Sequence, residues 1–124
     1  MEFNDSQAIY LQIADMLCER ILKRQWKAGE KLPSIRDVAV QVEVNPNTAL
    51  RTFSFLQEKG IVFNKRGIGY FVTDDGFEKT LEFKKESFIT EELPKMFNTM
   101  DVLKMRTKDL EHYYEKYRQE KKAG

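Results

Sequence analysis

Asn47, Thr48 and Arg51 place an amide, a hydroxyl and a guanidinium within little more than one helical turn of the stretch Val44–Gly60, VNPNTALRTFSFLQEKG. Asn and Arg each offer paired hydrogen bonds to a base edge, and Thr suits a phosphate or a thymine methyl. Asn47 and Arg51 are four residues apart, so on a helix they stand one above the other. Ala49, Thr52, Phe53 and Leu56 fall on the opposite face at helical spacing. Asn45 and Pro46 form a helix start, an Asx cap followed by proline at the first helical position. Gly60 is the stop, since glycine enters the left-handed conformation without steric cost. This is the chemistry of a helix that enters a DNA major groove, with the positive end of its dipole toward phosphate.

Such a helix needs a frame, and the flanking sequence supplies one. From Ser6 to Arg24, Ile9, Tyr10, Ile13, Met16, Leu17, Ile21 and Leu22 recur at three- and four-residue steps, which predicts a long amphipathic helix ending near Trp26. AGEKLP follows as a loop. Ser34 and Asp37 have capping-box spacing at the head of a second helix through Val38, Ala39 and Val42, stopping around Glu43. Two helices joined by so tight a turn form a helix-turn-helix. Glu43 occupies a turn position that favours glycine, at a cost of about 1 kcal/mol if left-handed. After Gly60 the period changes. Ile61-Val62-Phe63 and Tyr70-Phe71-Val72 flank Lys65-Arg66-Gly67-Ile68-Gly69, a β-hairpin with cations at its tip. Helix-turn-helix plus hairpin is a winged helix, whose tip suits phosphates or a minor groove. A winged-helix protein-interaction module is the alternative, but it has no need of Arg36, Arg51, Lys65 and Arg66 on one side.

Composition bounds this reading. The hydrophobic share of 41% with 12% aromatics over 124 residues allows one compact domain and a small appendage. Net charge is +1, and residues 1–74 carry ten Lys/Arg against nine Asp/Glu. Any DNA affinity must therefore come from a local patch. Cys18, the only cysteine, is expected to be a small core residue. No apolar run reaches the roughly 20 residues of a membrane span, and the start MEFNDSQ lacks the pattern of a signal peptide, so a cytoplasmic location is expected.

Four runs carry a family resemblance. IYLQIADMLCERIL, GEKLPSIRDVA, VNPNTALRTFSFLQEKGIV and KRGIGYFV, in this order, resemble the DNA-binding domain of the GntR family of bacterial repressors over Ile9–Thr73. The resemblance implies that Arg36, with Ser34 in the LPS-x-R motif, contacts DNA from the second helix. It implies that Asn45, Asn47 and Thr48 open the recognition helix, and that Arg66 and Gly67, beside Lys65, lie at the minor groove. The family pattern commonly carries arginine where this chain has Leu50, and Arg51 matches the basic residue that follows.

The fold expected is α+β and mainly helical: a winged helix-turn-helix over residues 1–74 and a short helical dimerisation tail over 75–124. The tail is too short for the larger ligand-binding domains of the family, and one histidine, His112, does not make a metal site. The resemblance thus narrows to the YtrA type, whose short tail dimerises. Phe77, Leu81, Phe88 and Ile89 form one apolar stripe, and Leu93, Met96, Phe97, Met100 and Leu103 a second. Pro94 is expected to kink or divide the two. Thr107 is expected to cap a last helix with Leu110, Tyr113, Tyr114 and Tyr117 on one side. Stripes this apolar imply a second subunit, with packing on the chain's own winged domain as the alternative. The expected function is a sequence-specific DNA-binding regulator, by family tendency a repressor, acting as a homodimer on a two-fold related operator. An apolar effector in a dimer cavity near Phe88, Phe97, Met100 and Tyr113 is an alternative. No enzyme motif, cofactor or metal spacing is present in the sequence.

Overall fold

Three- and four-residue apolar spacing becomes α1 (Ile9–Leu22), which buries Ile13, Ala14, Leu17, Cys18 and Ile21. The computed structural model describes all residues, 1–124, in two compact units, Met1–Lys85 and Glu86–Gly124. α1 begins later than the expected Ser6 because Gln12 turns back on the segment before it. Its side-chain amide donates to the carbonyls of Asn4 and Gln7, and its oxygen accepts from Asn4 N–H at 3.1 Å. Cys18 is fully buried, and desolvation pushes its thiol up to about 12, with Lys84 opposing and Asp15 adding to the shift. It is a neutral core residue.

α2 (Ile35–Gln41) starts at Ser34, whose Oγ accepts from Asp37 N–H at 3.0 Å. The turn passes through Glu43 in the left-handed region, φ 57°. α3 (Pro46–Glu58) is capped by Asn45, whose Oδ1 accepts from Asn47 N–H at 2.8 Å. It ends at left-handed Gly60, φ 77°. β1 (Val62–Lys65) and β2 (Gly69–Val72) pair antiparallel, Lys65 opposite Gly69. The segment expected to be only a loop adds itself to this hairpin. Leu32 N–H donates to Tyr70 O at 2.9 Å, Val72 N–H donates to Glu30 O at 3.0 Å, and Lys31 bridges to Phe71. Leu17, Ile21, Leu32, Val38, Phe53, Leu56, Ile61 and Val72 close one core beneath α1–α3 and the wing.

α4 (Gly76–Ser87) leaves from the base of the wing. A Cβ at Gly76 would lie 2.6 Å from Val72 Cγ1 and 2.9 Å from Ile61 O, so only glycine permits this approach. Phe83 meets the Phe55 ring edge-on at 5.5 Å, the Arg24 guanidinium covers Phe77 at 3.6 Å, and Lys84 pairs with Asp15 at 3.2 Å. α4 up to Lys85 thus packs as part of the first compact unit, Met1–Lys85.

Helical backbone continues through Ser87 into a π turn, Phe88–Glu92, where Leu93 N–H donates to Phe88 O. α5 (Leu93–Leu103) follows with Pro94 in its first turn. Pro94 thus sits in the first turn of α5, where a helix leaves its backbone N–H groups free and the missing donor of proline costs no bond within the helix. α5 stops at left-handed Lys104, φ 58°. α6 (Thr107–Ala123) begins with Asp109 accepting from Arg106 N–H at 2.8 Å. Arg106 is the cap position and Thr107 the first helical residue, because the acidic side chain two positions on reaches the free N–H. No helix is long and apolar enough to cross a membrane.

Candidate nucleic-acid interface

α2 and α3 turn Val38, Ala39, Ala49, Thr52, Phe53 and Leu56 into the core. That packing decides what remains outside. Arg36 and Asn47 are exposed, and Thr48 is half-buried. The two capping side chains, Ser34 and Asn45, sit at the N-termini of α2 and α3 and are already used as acceptors. Ser34 keeps its hydroxyl proton and Asn45 its amide N–H groups for a further partner. Both helices aim unfilled backbone N–H groups outward from these ends.

Charge at this surface is unbalanced by design of the packing. The chain forms two ion pairs, Lys23 with Glu19 and Lys84 with Asp15, and neither involves Arg36, Arg51, Lys65 or Arg66. These four cations keep their charge uncompensated by a contacting carboxylate. Lys65 lies 5.3 Å from the centre of the Phe71 ring, and Arg66 and Gly67 form the exposed tip, with Gly67 at φ 78°. A Cβ at Gly67 would meet nothing within 4 Å, so the tip is open.

Two residues join this surface without having been read from the sequence as functional. Lys31 is exposed beside the wing, and its Cε would be 2.9 Å from a Cβ at Gly69. No local pattern announces it, because its place depends on pairing with β2. Tyr10 lies on the apolar stripe of α1, yet its ring carries the Arg51 guanidinium at 4.1 Å. Leu50 is 44% exposed on α3, so a branched apolar tip stands where the family pattern commonly has arginine.

The model of the bacterial regulatory proteins of the gntR family matches residues 9–72, more than half of the chain. The chain belongs to the GntR family. Among its relatives, YhcF, an uncharacterized HTH-type transcriptional regulator of Bacillus subtilis, is 45% identical over 73 residues, 59% of this chain and 60% of YhcF. The HTH-type transcriptional repressor YtrA of the same organism is 35% identical over 91 residues, 73% of this chain and 69% of YtrA. A solved GntR-family structure from Bacteroides thetaiotaomicron is 37% identical, with a TM-score of 0.77 over 92% of this chain and 99% of that one. The protein is thus a GntR-family transcriptional regulator with the winged-helix fold, and its helix-turn-helix and wing are the family's DNA-binding module.

The residues expected at the dimer contact are dispersed among different environments. Phe77 lies under Arg24 within the first unit, where Leu81 is exposed. In the second unit Phe88, Phe97 and Tyr114 are exposed, Tyr114 at 62%, and Leu93 and Leu110 are half-buried. Met100 is 7% exposed and turns into its own unit. Within one chain, two open depressions lie beside the side chains named for an effector. Phe97 and Met100 line an open depression of about 290 Å³ with Met105, and Tyr113 lines another of about 440 Å³ with Met105 and His112.

Proposed function

We propose that this GntR-family protein is a YtrA-like repressor that reads a two-fold related operator as a homodimer, with α3 in the major groove and the wing at the adjacent minor groove. The observation that carries this reading is the division of α2 and α3. Their apolar faces are buried, and Arg36, Asn47 and Thr48 stand on the outer side with no carboxylate partner. In this reading Arg36 bonds guanine O6 and N7, Asn47 bonds adenine N6 and N7, and Thr48 contacts a methyl or phosphate. Ser34, Asn45, Lys65, Arg66 and Gly67 position the protein on the phosphate backbone without reading sequence.

Dimerisation is supported by how little the second unit buries. Over Glu86–Gly124 only Met100 is buried, while Phe88, Ile89, Phe97, Tyr113, Tyr114 and Tyr117 are exposed. A unit of under about 40 residues needs a metal, a disulfide or a partner to be stable, and a second copy covers these apolar residues. Repression follows the described role of YtrA, whose length this chain covers to 69%.

Footprinting on genomic DNA followed by titration of variants tests the reading. Arg36→Ala should cost roughly 1–3 kcal/mol on the footprinted operator and much less on random sequence. Lys65→Glu with Arg66→Glu should weaken both alike and flatten the salt dependence. Equal losses for Arg36→Ala on the two duplexes would make it a phosphate clamp. Binding to a protein partner with no salt-dependent DNA affinity would sink the reading in favour of an interaction module.

A further inference from the structure

Arg51 belongs to the recognition helix, one turn beyond Asn47, but its side chain is drawn sideways onto α1. Its guanidinium carbon sits 4.1 Å from the centre of the Tyr10 ring. Tyr10 is itself fixed from two directions. Thr52 Oγ1, fully buried, donates to the Tyr10 carbonyl at 2.8 Å, and the Phe55 ring meets Tyr10 edge-on at 6.1 Å and 71°. The Thr52 bond anchors the backbone of the residue and the Phe55 contact braces its ring, which belongs to a helix outside the helix-turn-helix.

We propose that Tyr10 is a positioning residue that holds Arg51 as a phosphate clamp at the flank of the recognition helix. The proposal rests on the DNA-binding reading above and assigns one of its residues a role. A ring takes up the flat face of a guanidinium and leaves the in-plane N–H groups free. Those edges form the fork that matches a phosphate. Base reading falls to the N-terminal residues of the recognition helix, one turn before Arg51. Tethered to α1, Arg51 meets the wall of the groove rather than its floor. No carboxylate competes, since neither ion pair of the chain involves Arg51. Stacking also restricts the arginine before DNA arrives, so less freedom is lost on binding.

The test uses the full chain with two duplexes, the footprinted operator and a random sequence, titrated across salt concentrations. Arg51→Ala should weaken both by a similar factor and lower the slope of log K against log salt by about one. Tyr10→Leu should reproduce that pattern, and Tyr10→Phe, which keeps the ring, should bind as the native chain does. The double variant Tyr10→Leu/Arg51→Ala should bind no more weakly than Arg51→Ala alone. Losses that multiply in the double variant, or a Tyr10→Leu protein that melts earlier but binds DNA with an unchanged salt slope, would overturn the proposal. Arg51→Lys leaves α1 intact and keeps the charge without the flat face. It should also lose affinity, and native affinity for that variant would overturn the proposal even if Tyr10→Leu did not fold. A native chain that binds neither duplex defeats the DNA reading itself, a result distinct from any of these.

Discussion

Glu43 shows how a single residue can bear a conformational cost for the geometry of a site. The turn between α2 and α3 requires a left-handed residue, and Glu43 adopts φ 57° there while its side chain stays exposed. Left-handed backbone costs an L-residue with a Cβ roughly 1–2 kcal/mol, and glycine avoids that cost while losing more freedom on folding. Glu43→Gly should therefore stabilise the chain by about 0.5–1 kcal/mol in urea unfolding, with the DNA affinity of α3 preserved. A variant less stable than the native chain would mean that the glutamate side chain holds the turn by a contact of its own. Arg51 offers the complementary lesson. Its type and position suggest a base reader, and its guanidinium lies on the Tyr10 ring of α1.

Among elements, the wing and α4 depend on each other through Gly76. The start of α4 fits against Val72 and the Ile61 carbonyl only because no Cβ intervenes, and Thr80, fully buried, bonds back to the Gly76 carbonyl. Gly76→Ala forces a methyl into backbone and strand, and overpacking of this kind costs about 1–3 kcal/mol. Thermal unfolding should show that loss. Hydrogen exchange should quicken in β2 and the first turns of α4 before it does in α1, and uniform quickening would argue against this local coupling. The same two-stranded wing holds the segment around Lys31 through an isolated bridge to Phe71 and neighbouring backbone hydrogen bonds, which brings a third cation to its base.

For the whole molecule the two units differ in how far each satisfies itself. The first has a continuous core and unpartnered cations outside it, and the second exposes most of its aromatic residues. Because α4 packs on the first unit through Phe77 and Phe83, a chain cut after Lys85 keeps that packing, and one cut after Asp74 uncovers Phe55. Sedimentation should show the chain ending at Lys85 as a monomer and the full chain as a dimer. The shortened form should bind random DNA with little loss and an operator much more weakly, since a single half-site loses the joint engagement of two. A dimer that survives the cut at Lys85 would move the subunit contact into the first unit.

Local physics wrote the elements into the sequence. Apolar spacing marks α1 and α3, Asn45-Pro46 and Ser34 mark helix starts, Gly60 marks a stop, and the β-branched and aromatic runs flanking the glycine-bearing loop Lys65–Gly69 mark the hairpin. Each of these signals acts between residues a few positions apart, and the four motifs that carry the family resemblance are made of them. Tertiary structure decided the rest. Thr52 reaches Tyr10 across 42 positions, Lys31 pairs with Phe71, and Phe83 finds Phe55. Such partners are set by which faces remain when the core closes, and no periodicity within either segment encodes that choice. The extent of the first unit and the destination of Arg51 follow from packing between distant segments, which a pattern along the chain does not record.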